Sequence, residues 1–93
     1  MSAPINIYAK ALSNVVHTLP YSCRQSTNII EYNGESHSIL KWGEYDRLKD
    51  FSLKQLRELA YIILSYPIFG QYKKEFKQYK MVLKFIEKDY LQY

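Results

Sequence analysis

The groups in this chain that could do chemistry are few. Its 93 residues hold two histidines, His17 and His37, and one cysteine, Cys23. A structural zinc site takes four ligands and a catalytic one takes three plus water, usually in paired spacings. These scattered residues offer no paired spacing, so no metal site is expected. Cys23 beside a histidine would make a nucleophile–base pair only if the fold joined them. A reactive thiol needs a helix N-terminus or an electropositive pocket. Cys23 falls instead in the polar stretch Tyr21 to Thr27, with only Arg24 beside it, and reads as a small apolar residue. The acids Glu31, Glu35, Glu44, Asp46 and Asp50 are interleaved with Lys41, Arg47 and Lys49. Surface ion pairing accounts for them without acid–base catalysis. Gly34, Gly43 and Gly70 are isolated, so no phosphate-cradling glycine loop is present. The chain is therefore expected to be no enzyme and to need no cofactor.

One charged feature does stand out. The net charge is +4, and it is unevenly placed. Residues 1–51 balance five basic against five acidic side chains, while residues 70–93 carry six lysines against three acids. Lys73, Lys77, Lys80, Lys84 and Lys88 follow one another at steps of four, three, four and four. On a helix these positions are neighbours on one side, where like charges repel by a few tenths of a kcal/mol per pair. Glu87 can meet Lys84, but Glu75, Asp89 and most of the lysines have no opposite charge at helical spacing. Such a row either solvates a helix or awaits an anionic partner, and these five lysines are the candidate nucleic-acid-binding residues.

The same segment explains why it should be helical. Tyr72, Phe76, Tyr79, Leu83, Ile86 and Tyr90 form an apolar stripe at alternating steps of four and three. Upstream, Ser52 and Gln55 form a capping box, with Phe51 and Leu56 placed as a hydrophobic staple. A helix should start at Leu53 and stop at Tyr66-Pro67, burying Leu53, Leu56, Leu59 or Ala60, Ile63 and Leu64. The short link Ile68-Phe69-Gly70 makes the last two helices a packed hairpin. A first helix is expected from about Ile5 to Thr18, with Pro4 in its first turn and Pro20 beyond its end. Its inner side is Tyr8, Leu12, Val15, Val16 and Leu19. Between these helices, Asn33-Gly34 separates Ile29–Tyr32 from His37–Trp42, a strong hairpin signal. A three-residue loop keeps parity and puts Ile30, Tyr32, Leu40 and Trp42 on one face, with Glu31, His37 and Lys41 on the other. Trp42 and Leu40 would then anchor the hairpin, and Gly43 to Asp50 would be a link.

The expected fold is one small α+β domain over residues 1–93, mostly helical: an N-terminal helix, a β-hairpin, then two packed C-terminal helices. A chain of this length buries about 60–65% of its unfolded surface, enough for one modest core. Hydrophobic content of 47% argues against disorder. The lone cysteine excludes an intramolecular disulfide. No basic-then-apolar leader precedes Asn14, and Ala60 to Leu64 is too short to span a bilayer. A soluble intracellular protein without membrane contact is expected.

Two functions fit. The first is a small non-catalytic binding protein whose basic C-terminal helix meets an anionic partner, nucleic acid above all. The second is a protein–protein module, either a homodimer or a small inhibitor or adaptor, using exposed tyrosines and the apolar stripe. The chain has ten tyrosines against four Phe and one Trp, and Tyr suits half-buried contact surfaces. The abundance of Tyr, Lys and Ile also fits an AT-rich coding genome, as in many viruses.

Overall fold

A computed structural model describes residues 5–19, 29–66 and 72–92. The described chain runs α1 (Ile5–His17), β1 (Ile29–Tyr32), β2 (Glu35–Ser38), α2 (Ile39–Trp42), α3 (Tyr45–Leu48), α4 (Leu53–Leu64) and α5 (Lys73–Tyr90). This is the expected mostly helical α+β fold. The stretch Tyr21 to Thr27, with Cys23, and the link Ile68-Phe69-Gly70 lie outside the described residues.

The helices follow their apolar spacing. Tyr8, Leu12, Val15, Val16 and Leu19 of the first segment are all buried. On α4 the buried residues are Leu56, Leu59, Ala60 and Ile63, with Leu53 and Leu64 packed at the edge. The Ser52 hydroxyl accepts from the Gln55 backbone N–H at 3.1 Å, and the Gln55 side chain accepts from the Ser52 N–H at 2.9 Å. Two otherwise unpaired donors are thus satisfied at the helix start. On α5, Tyr79, Leu83 and Ile86 are buried, and Phe76, Tyr90 and the preceding Tyr72 are half-buried. This helix packs against α4 on one side and α1 on the other.

The hairpin departs from the sequence reading in two ways. Its loop has two residues, so Tyr32 pairs with Glu35 and Ile30 with His37. Asn33 and Gly34 take positive φ values of 56° and 81°, as a tight primed turn requires of both central residues. The second strand also ends at Ser38. Residues 39–42, expected as strand, form a helical turn capped by the Ser38 hydroxyl, which accepts from the Lys41 backbone N–H at 3.3 Å. The apolar residues explain both corrections. Ile39 and Trp42 reach the core together at a spacing of three, which a strand cannot do. With those residues removed from the sheet, β2 is polar and parity no longer matters. Ile39, rather than the half-buried Leu40, therefore shares the anchoring with Trp42. The segment expected as a plain link holds the helical turn α3, which buries Leu48.

Trp42 is the centre of this region. Its indole N–H donates to the Ile30 carbonyl at 2.6 Å inside the core. The rings of Tyr32, His37 and Phe51 approach it at 6.0, 5.1 and 6.3 Å, all near edge-on. Arg47 covers it at 5.3 Å and also donates to Glu35. A two-stranded hairpin is marginal alone, and here the helical turn behind it supplies the support.

Candidate nucleic-acid interface

The spacing of α5 puts its stripe inward, so the lysines necessarily face out. Lys73, Lys77, Lys80, Lys84 and Lys88 are all exposed. Among the described residues none of them lies within ion-pair distance of a carboxylate; the described pairs are Glu35 with His37 and Arg47, Asp46 with Lys49, and Glu87 with Arg57. Lys77, Lys80 and Lys84 of the row stand beside Tyr61 and Leu64 of α4.

Glu87 is the acid beside this row, and it does not pair with Lys84 as its spacing allowed. Its carboxylate accepts from Arg57 Nε at 3.2 Å and from the Tyr61 hydroxyl, both on α4. That hydrogen bond holds the Tyr61 phenol above its ordinary pKa, because ionisation would set two negative charges together. The Arg57 guanidinium also rests 5.3 Å from the Tyr61 ring centre and 4.9 Å from that of Tyr90. Glu87 is thus neutralised by Arg57, and the lysine row keeps its positive field. Asp89 is turned to the opposite side, where it accepts from Tyr8 of α1.

Beside the row lies a groove of about 600 Å³ between α4 and α5. Leu64, Phe76, Met81 and Leu83 give it apolar surface, and Lys77, Lys80 and Lys84 line it as well, with Tyr61 and Glu87. The Lys80 ammonium lies 5.1 Å from the Phe76 ring centre. The sequence stripe marked Phe76 only as a packing residue. Tyr61 could have been found from its spacing, since Arg57 and Tyr61 are four apart on a helix whose other side is apolar. Met81 carried no signal, because it lies off the apolar stripe of the helix.

The remaining sequence candidates are placed apart. His17 ends α1 with its Nδ1 against the Ser13 carbonyl at 2.8 Å. His37 lies on β2 against Trp42 and Glu35, and this contact with Arg47 nearby holds the Glu35 carboxyl below its usual range. Among the described residues, no group of three His, Cys, Asp or Glu side chains is placed to hold a metal ion. No helix among them is long and apolar enough to cross a membrane. Compared with models of known families, with curated proteins and with solved structures, the chain matches none.

Proposed function

We propose that this protein is a non-catalytic intracellular binding protein that holds a polyanion, nucleic acid above all, on the lysine row of α5. One observation carries the reading: five exposed lysines share an edge, and the acid beside them is engaged by Arg57 and Tyr61. Lysine meets phosphate as a point charge and reads no base unaided, so the contacts are to backbone and depend weakly on sequence. No small-molecule cofactor enters the reading.

The test is binding to DNA and RNA across a salt series. On duplex the log–log slope should be about −0.9 per phosphate engaged, so four contacts give about −3.6. Lys77→Glu with Lys84→Glu should bring the slope near −1.8 and weaken every sequence alike, with an unchanged melt. No retention of either nucleic acid at low salt would sink the proposal.

A second reading rests on a different surface. Ile7, Met81 and Phe85 are 51%, 59% and 56% exposed and line a groove of about 700 Å³ between α1 and α5. Clustered exposed apolar side chains fit a protein partner. Because Tyr79, Leu83 and Ile86 are covered within the chain, a homodimer or an adaptor contact would use this ridge rather than the stripe.

A further inference from the structure

The surface beside the lysine row is shaped for more than phosphate. A duplex presents its phosphates on an outer ridge, and a flat basic helix face would suffice to meet them. Here three of the lysines line a groove that also holds Tyr61, Leu64 and Phe76. We infer that the groove between α4 and α5 takes unstacked bases of a single-stranded nucleic acid, with their phosphates on Lys77, Lys80 and Lys84. The inference rests on the polyanion reading and narrows it.

Three observations support a single strand. The groove is lined with cations beside apolar and aromatic surface, which complements an anionic chain of flat apolar rings. It is an open groove of about 600 Å³, room for a nucleotide or two to lie along it rather than be enclosed. The third observation is Tyr61. It is 46% exposed, yet its hydroxyl is held by Glu87 and its ring by Arg57. A ring fixed before the ligand arrives loses little freedom on stacking. Phe76 adds a second aromatic ring to the lining, with the Lys80 ammonium beside it.

The experiment compares three ligands at one salt concentration: oligothymidylate, an abasic strand of equal length, and a duplex. The abasic strand keeps the phosphates and lacks the bases. Oligothymidylate should bind about five- to a hundredfold tighter than the abasic strand, and tighter than the duplex. Tyr61→Leu should remove that preference, whereas Tyr61→Phe, which keeps the ring, should retain it. Equal affinity for oligothymidylate and the abasic strand would overturn the groove inference and leave the lysine row standing. A preference that survives Tyr61→Leu would also overturn it. Failure of all three ligands at low salt would overturn the inference and the polyanion reading together. Capture of an acidic amphipathic peptide, with no oligonucleotide bound, would assign the groove to protein and overturn both.

Discussion

Replacing Gly43 with alanine tests how α1 is seated against the turns that follow the hairpin. Gly43 ends α2 with φ −83° and ψ 0°, a conformation open to ordinary residues. On backbone grounds alone the substitution should stabilise by about 0.4–1 kcal/mol, because alanine restricts the unfolded chain. Space reverses the sign. An added Cβ would stand 2.5 Å from Val16 Cγ1, 2.6 Å from its Cβ and 2.8 Å from its Cγ2. Ordinary carbon contacts are about 3.5–4.0 Å, so the overlap is roughly 1 Å. Val16 is buried, and a β-branched residue in a helix keeps one side-chain rotamer, so it has no easy way to turn aside. The α1 backbone must move instead. Overpacking of this kind costs about 1–3 kcal/mol, which against the backbone gain of about 0.4–1 kcal/mol leaves a net loss of about 1.3 kcal/mol at mid-range, with bounds of about 0 and 2.6. Urea melts should show a lower midpoint at unchanged slope. Thermal melts should fall by about 4–8 °C per kcal/mol for a domain of this size. Val16→Gly removes all three obstructing carbons, so the double variant should beat the sum of the singles by at least about 0.5 kcal/mol. An alanine variant more stable than the parent, or strict additivity of the pair, would refute the close approach.

Three further outcomes follow from the packing. Ser52→Ala should cost about 1 kcal/mol through the lost cap and Leu56→Ala about 2–5 kcal/mol through a core cavity; negligible losses for both in denaturant melts would mean that α4 does not begin there. Trp42→Phe removes the indole donor to the Ile30 carbonyl, which is also in the β1–β2 ladder, and the lost bond should cost about 0.5–1.5 kcal/mol beyond the lost volume; a near-neutral change would show the bond to be dispensable. Burial, then the hydrogen bond and charge of Glu58, push the Tyr32 phenol up to about 12, and burial raises Tyr79 as well. The folded chain then keeps protons that the unfolded chain releases from about pH 10, so stability is whole below pH 10 and falls as the pH rises towards 12. The slope approaches about 1.4 kcal/mol per pH unit for each tyrosine. Tyr79→Phe should flatten it, and constant stability from pH 9 to 11.5 would contradict the burial.

Sequence reading succeeded where one physical pattern dominated and failed where two competed. The stripes of α1, α4 and α5 and the capping box at Ser52 had no rival reading, and each appears as expected. The stretch His37–Trp42 had two. Its apolar residues suited a strand face, but Ile39 and Trp42 also stand one helical turn apart, and Ser38 is a ready cap. Tertiary packing of Trp42 under Ile30 chose the helical turn. The tight Asn33-Gly34 turn then fixed a register that parity arguments had set aside. At the candidate site, the exposure of the lysines was legible because the stripe fixes which side of α5 turns inward. The partner of Glu87 was not legible. Spacing along one helix pointed to Lys84, whereas Arg57 and Tyr61 approach only once α4 and α5 pack together.

That cross-helix pairing bears on both surfaces of α5. Had Glu87 paired with Lys84, one acid would have cancelled one lysine in the middle of the row. Held by Arg57 instead, it contributes to the junction of α4 and α5 and subtracts from no exposed cation. The five-lysine field is therefore a consequence of how the helices pack, and it acts on whatever approaches the neighbouring Met81–Phe85 ridge. A symmetric dimer through that ridge would bring two positive faces together, so added salt should favour it by screening the repulsion. A polyanion on the row releases counterions, so added salt should oppose it. The two readings of α5 thus respond to ionic strength in opposite directions. An acidic protein partner would share the salt response of the polyanion, and only the dependence on bases at Tyr61 separates those two.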